Sequence, residues 1–302
     1  MNNIADYDKH QYDYEKYWQD ENVKRQYEDR AERIAIKRMI PKHEGWFCDL
    51  GAGFGRLFES YKDNFDHFIL TDYSLENLKK AKHFIEKKYP QKDVTYIALN
   101  AYNLPLKNNS LDCLMSVRLL HHIDQTEDFL GEISRTIKPK GRVIIEYANK
   151  RHFFNILKFL IRKSKVNPFS KKTEKHSEQF NNFHPKYIES KIKDQSLKIL
   201  KILSVSNLRH NFFKKIMPFG FMILKERFLQ IILSPIRFGP SVFVLAQKRS
   251  DDKNSINEGL VFNMLVCPKC KNEDLDFSEN KIKCKECGLI YKIIDNIYDF
   301  RV

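Results

Sequence analysis

Residues 46–56 read Trp46-Phe47-Cys48-Asp49-Leu50-Gly51-Ala52-Gly53-Phe54-Gly55-Arg56. A short, mostly apolar run leads into three glycines at alternate positions, the pattern of a buried strand that breaks into a tight turn. Glycine lets the backbone turn through conformations closed to other residues, and a ligand can approach where no side chain stands. A helix opening just beyond would offer free N–H groups to that ligand. The next apolar run, HFILTD (67–72), ends on Asp72, 17 residues after Gly55. An acid at the end of the strand after a glycine turn is placed to accept both hydroxyls of a ribose.

Strand and helix signals alternate outward from this point. VKRQYEDRAERIAIKRM precedes the glycine segment with helical spacing through Tyr27, Ala31, Ile34 and Ala35, and Pro41 follows its end. Ser74 is placed to cap a helix whose apolar face runs through Leu75, Leu78, Ile85 and Tyr89. VTYIAL (94–99) and LDCLMSV (111–117) read as the third and fourth strands, 126–137 as a helix and RVIIEYA (142–148) as the fifth strand. This alternation predicts an α/β fold with a mostly parallel sheet and helices on both faces. After residue 148 the rhythm changes. Residues 152–163 look helical, 164–184 loop-like, Pro185 opens another helix, LKILKILSV (197–205) and SVFVLAQ (241–247) read as strands, and 211–233 are apolar with scattered cations.

The chain has 302 residues, of which 42% are hydrophobic and 13% aromatic, enough for a packed core and against disorder throughout. The first residues are polar and acidic, so no signal peptide is expected, and no uncharged apolar run reaches the roughly 18–20 residues of a membrane span. The expected location is the cytoplasm. The net charge of +14 is unevenly spread: residues 150–240 hold 20 Lys and Arg against 5 Asp and Glu, leaving −1 for the rest. Four of the six cysteines, Cys267, Cys270, Cys284 and Cys287, fall near the C-terminus as two C-x-x-C pairs separated by 13 residues. Two knuckles of two thiolates complete a tetrahedral four-sulfur site with no position left for water, so a structural Zn²⁺ is expected. Cys48 and Cys113 sit in apolar runs and read as core residues.

The acidic-x-G-x-G-x-G segment resembles motif I of class I S-adenosylmethionine (SAM)-dependent methyltransferases. NAYNLPL (100–106) resembles that family's D-A-x-x-L-P-F stretch, with Asn100 where Asp is common. SLDCLMSVRLLHHI (110–123) and IKPKGRVIIEYAN (137–149) resemble the segments that carry its fourth and fifth strands. The match extends over residues 24–248 and is nearest the ubiquinone/menaquinone-type small-molecule enzymes. The resemblance implies a Rossmann-like domain with a seven-stranded sheet and SAM as cofactor. Asp49, Gly51, Ala52, Gly53 and Gly55 would cradle its methionine and ribose side, Asp72 and Tyr73 the ribose, Asn100, Ala101 and Tyr102 the adenine edge, and Val117 and Arg118 the methionine end. No catalytic base is fixed. His121 and His122 are candidates at the carboxyl edge of the sheet, although the family carries them more often for packing. Tyr14 is a third candidate, in an N-terminal lid segment (1–23) whose aromatics could equally serve only to pack.

The cysteine-rich tail (260–302), joined by a polar linker (249–259), is similar to zinc-ribbon activator subunits that partner tRNA, rRNA and release-factor methyltransferases. Those follow the second cysteine pair with Y-P-I-x-x-G-I-P, where this chain has Tyr291-Lys292-Ile293-Ile294-Asp295-Asn296-Ile297-Tyr298. Segments inserted after the fifth strand usually shape the acceptor pocket in the resembled family, which gives residues 150–240 that expected role. Their cations suit an anionic membrane surface or, with stacking aromatics, RNA. No N-P-P-[YF] motif follows the fourth strand, where the sequence is Val117-Arg118-Leu119-Leu120. That favours a small-molecule or lipid-like acceptor over RNA, with a non-catalytic SAM-binding scaffold as the third reading.

Overall fold

The computed structural model describes residues 15, 18, 23–42, 45–177, 180–249 and 261–301. The candidate Tyr14, most of the lid segment and nearly all of the linker lie outside the described residues. Helix α1 (Val23–Met39) precedes β1 (Trp46–Leu50), then β2 (His67–Asp72), α2 (Leu75–Lys88), β3 (Asp93–Ala98), β4 (Leu111–Ser116), α3 (Thr126–Thr136) and β5 (Ile137–Ala148). These elements fall close to where hydrophobic periodicity puts them, with two corrections. The helix expected just beyond the glycine turn is absent, residues 51–66 forming turns and a short 3₁₀ helix (Phe58–Ser60). Strand β5 begins at Ile137, ahead of the apolar run from Arg142, by pairing with Leu111 of β4. The Ser74 hydroxyl accepts from the Asn77 N–H at 3.1 Å and so starts α2, as its residue type suggests.

The later part is more varied. Helix α4 (Phe153–Leu160) leads through a two-stranded hairpin, β6 (Glu174–Ser177) and β7 (Phe180–Asn182), to α5 (Pro185–Asp194) and β8 (Leu197–Val205). The hairpin replaces the loop expected over 164–184; its strands are too short and polar to leave a periodic signal. The apolar stretch from 211 splits at Pro218 into α6 (Asn211–Ile216) and α7 (Phe219–Ile232), and β9 (Ser241–Lys248) follows. The ribbon holds β10 (Leu275–Ser278), β11 (Lys281–Cys284), β12 (Ile290–Ile294) and β13 (Ile297–Asp299).

One sheet runs through both parts, in the order β10-β11-β12-β13-β3-β2-β1-β4-β5-β9-β8. Its seven strands from β3 to β8 form the expected sheet, parallel through β5, with β9 antiparallel to both neighbours. The ribbon enlarges it to eleven. Strand β13 joins β3 in parallel, Ile297 opposite Tyr96 and Asp299 opposite Ala98, so the β3 edge, whose unpaired N–H and C=O groups would otherwise face solvent, is covered. Asp295 (φ +53°) and Asn296 (φ +59°) make the tight β12–β13 turn. Asn296 stands where the resembled activators carry glycine and tolerates the same left-handed backbone.

Side chains alternate across the sheet. Phe47, Phe68 and Met115 pack with Ala31, Ile36, Phe58 and Leu78 on the α1/α2 face. Cys48, Ile69 and Leu114 pack with Phe129, Ile133, Ile188 and Ile192 on the α3/α5 face. Cys267, Cys284, Tyr291 and Phe300 of the ribbon belong to this second core, and Val266 N–H donates to the Pro105 carbonyl at 3.1 Å.

Candidate functional site

The strand order reverses between β1 and β4, and in sheets of this kind ligands bind beyond the carboxyl ends of the strands at that point. The glycine turn lies there. Gly51, Gly53 and Gly55 adopt φ of +84°, +56° and +78°, in the region that strongly favours glycine. A Cβ on Gly51 would stand 3.2 Å from the Leu119 side chain, and one on Gly55 3.3 Å from Ala81 Cβ. The turn is tied to β2 at three points: the Gly51 and Ala52 N–H groups donate to the Thr71 carbonyl at 2.9 and 2.8 Å, and Gly53 N–H to Asp72 Oδ2 at 2.8 Å. Asp72 Oδ1 accepts from Ser74 N–H at 2.9 Å. Each carboxylate oxygen keeps acceptor capacity for a hydroxyl, and the acid is already held over the crevice.

The other predicted positions divide between crevice and support. Asp49 is buried and accepts from the Tyr61 hydroxyl at 2.6 Å, so it braces the turn from beneath. Asn100 Oδ1 accepts from Tyr102 N–H at 3.0 Å, a local turn that holds the amide at the end of β3. The Tyr102 hydroxyl accepts from the Asp124 and Gln125 N–H groups at 3.0 and 3.3 Å, securing the start of α3. Tyr73 is covered from the ribbon: Arg301 lies 5.6 Å from the ring centroid and donates to the Tyr73 carbonyl at 3.0 Å. Val117 is buried, and Arg118 adopts φ +61° with its N–H on Glu146 Oε2 at 3.0 Å.

A carboxylate that sequence reading missed organises this corner. Glu32 on α1 is fully buried, with one oxygen on Arg118 (Nη2 at 2.5 Å) and the other on Arg56 (Nη2 at 2.6 Å). Arg56 also pairs with Asp29 and lies 3.7 Å from the centroid of the Trp18 ring. The clamp joins α1, the end of the glycine turn and the loop after β4. Its only sequence signal is the run of acids in α1, which helical spacing alone assigns to a solvated face.

His121 is buried, its ring stacked on Phe180 with centroids 4.3 Å apart. Burial, with the neighbouring His122 and Arg118, pushes its pKa well down, which leaves it neutral and a weak proton acceptor. His122 is half-buried beside it.

Burial pushes the Asp49 carboxyl up to about 7, against the hydrogen bond from Tyr61. An acid whose folded-state value exceeds its unfolded one holds its proton more tightly when folded, so its contribution to stability is complete below about pH 4 and is lost as pH rises toward the folded value. Asp49→Asn removes that dependence. Denaturant midpoints at about pH 5 and about pH 8 are expected to show the variant gaining relative to the wild type at the higher pH; a gap that does not change with pH would contradict the shift.

At the ribbon, the four cysteine sulfurs lie within 4.8 Å of one another. Cys267 and Cys287 are 3.6 Å apart and Cys270 and Cys284 3.5 Å. Tetrahedral zinc with Zn–S of about 2.3 Å spaces its sulfurs about 3.8 Å apart, so the residues fit the ion. Both knuckles turn alike: Lys271 (φ +58°) donates to the Cys267 carbonyl at 2.8 Å, and Gly288 (φ +72°) to that of Cys284 at 3.0 Å.

Fold, glycine turn and thiolate cluster together define a class I SAM-binding methyltransferase domain joined to a zinc ribbon. Residues 48–145 match the family described as "Methyltransferase domain" and residues 260–296 the family described as "Trm112p-like protein", so the chain carries a domain of each. It is 32% identical over 117 residues to an uncharacterised protein of Methanocaldococcus jannaschii, covering 39% of this chain and 47% of that one. It is 34% identical over 116 residues to the demethylmenaquinone methyltransferase of Paenarthrobacter aurescens, covering 38% and 44%. The chain thus spans less than half the length of these relatives. In fold it is similar to a chain of the complex between the Haloferax volcanii Trm112 methyltransferase activator and a methyltransferase (TM-score 0.54, 13% identity, 80% of this chain and 98% of that one). It is equally similar to a SAM-dependent methyltransferase of Thermotoga maritima (TM-score 0.54, 17% identity, 80% and 98%).

Proposed function

We propose that the protein is a SAM-dependent methyltransferase that acts on a small-molecule or lipid-like acceptor. The observation that carries this reading is the glycine turn anchored on Asp72 at the topological switch point. Bound there, SAM supplies a sulfonium methyl group that a nucleophile takes in line. The chain's own residues bind and orient. Gly51, Ala52, Gly53 and Gly55 leave room for the cofactor, Asp72 takes the ribose hydroxyls with Tyr73 beside it, and Asn100, Ala101 and Tyr102 form the adenine side. Val117 and Arg118 bound the methionine end. Asp49 and the Glu32 clamp keep these segments in register. The neutral, stacked His121 suits packing better than proton removal, and positioning in a dry pocket would carry most of the rate.

The quinone methyltransferases among the relatives point to a demethylated naphthoquinone as the first acceptor to try. Transfer of labelled methyl from SAM to an organic-extractable product tests the reading; SAM binding without transfer to any acceptor would leave the scaffold reading. An RNA methyltransferase with its activator in cis is the second reading, supported by the Trm112p-like ribbon in the same sheet. Label recovered in RNA and absent from the extract would decide for it.

A further inference from the structure

Helix α7 is built inside out. Met222, Glu226 and Gln230 face the protein and are buried. Glu226 accepts from the Tyr27 hydroxyl at 2.6 Å and from Ser206 N–H at 2.8 Å, and Gln230 donates to the Ala31 carbonyl at 2.8 Å. The apolar residues Phe221, Leu224, Phe228, Ile231 and Ile232 point outward and are 43–67% exposed. At 100° per residue they form one stripe, with Lys225 on one flank and Arg227 on the other. With about half of each large side chain uncovered, the stripe leaves on the order of 500 Å² of apolar surface, as much as the largest patch on a typical monomer.

The stripe continues beyond α7. The chain after it carries exposed Ile236 and then Phe238, whose ring stacks on Phe153 at 4.8 Å. Phe153 opens α4, which buries none of its residues and exposes Leu157 and Leu160. Between α4 and the start of α6 opens a cavity of about 300 Å³ lined by His152, Phe154, Lys158, Asn207, Arg209 and His210. Burial, together with the cations of Arg209 and Lys158, pushes His152 down to about 4, so the positive charge at the cavity comes from those two side chains. A hollow bearing these two cations, with Arg209 also 3.6 Å from Glu28, therefore adjoins the apolar Phe153–Phe238 pair, within a region of net charge +15 (residues 150–240).

Charge and shape select the occupant. A second copy would bring two strongly positive faces together. RNA would need open ring faces to stack on, whereas Phe153 is already stacked on Phe238 and Phe154 on His210, and three of the five α7 stripe residues are Leu or Ile. An apolar stripe flanked by cations matches the boundary between lipid headgroups and acyl chains. We propose that α7 and α4 dock this face onto an anionic membrane surface, with a lipid phosphate seated in the cavity between Lys158 and Arg209. The proposal stands on this surface alone and holds whether or not the acceptor is a lipid.

Flotation of the zinc-loaded full chain with vesicles tests it. The protein is expected to float with equal mixtures of phosphatidylglycerol and phosphatidylcholine, to stay behind with phosphatidylcholine alone, and to be released by salt. The paired change Phe228→Glu and Ile232→Glu, at exposed positions, is expected to weaken vesicle binding at least tenfold without lowering the melting temperature. Lys158→Ser with Arg209→Ser is expected to weaken binding to the anionic mixture. Phe228→Trp, which keeps the apolar character, is expected to float normally and to shift its fluorescence to the blue on vesicles. Four results would overturn the proposal: no flotation with either vesicle, unchanged binding by the Glu variant, unchanged binding by the Ser variant, or a dimer in sedimentation that Phe228→Glu dissolves without any vesicle binding.

Discussion

Cys284→Ser, or exhaustive chelation, is expected to unfold the ribbon and to destabilise the methyltransferase domain with it. A four-thiolate zinc site carries an apparent binding free energy of about 10–16 kcal/mol, which in small ribbons is folding free energy. Here the consequence spreads, because Cys267, Cys284, Tyr291 and Phe300 share a core with Phe129 and Ile133, and β13 covers the edge of β3. Losing several kcal/mol in a chain of this size lowers the melting temperature by about 10 °C or more. Calorimetry beside metal analysis checks it: the wild type should hold one zinc per chain, the variant none. A wild-type preparation without metal that melts like the loaded one would refute the structural role. Exposure of the β3 edge is also expected to make the variant aggregate.

Asp72→Ala is expected to weaken binding of S-adenosylhomocysteine at least 100-fold while leaving zinc content unchanged. Two hydrogen bonds from ribose hydroxyls to a carboxylate are worth about 1.5–3 kcal/mol each, and about 1.4 kcal/mol is a factor of ten. The carboxylate also anchors Gly53 N–H at 2.8 Å, so its loss frees the turn as well. Asp72→Asn separates the two roles poorly, since an amide NH₂ would face either Gly53 N–H or Ser74 N–H. Titration calorimetry reads the affinity directly. Unchanged affinity in Asp72→Ala would remove the assignment of this crevice to an adenosyl ligand.

What the sequence displayed was whatever local chemistry governs. Three glycines that need positive φ, a serine that caps α2 and two cysteine knuckles each write their constraint within a few residues, and the structure places them as read. Pairings between distant segments left no such mark. Nothing in Ile297-Tyr298-Asp299 announces β3 as its neighbour, and the Glu32–Arg118 contact joins residues 86 apart. Tyr102, read as part of the adenine edge, also secures α3 through its hydroxyl, an arrangement visible only once the two segments meet. Periodicity shows that α7 has an apolar stripe but not which way the stripe faces; the buried partners of Glu226 turn it outward. The short β6–β7 hairpin escaped for lack of apolar alternation.

The parallel pairing of β13 with β3 has a further consequence, in time and in the company the protein keeps. Some 200 residues of chain separate those strands, and β13 is made about 50 residues after β9 completes the rest of the sheet, so during synthesis the β3 edge stays open for an interval after its own domain could have formed. Contacts so remote in sequence are slow to close, and nascent chains are vulnerable over that interval to capture by other strands or chaperones. Once the join is made, the β3 edge is closed to any other strand that would pair there.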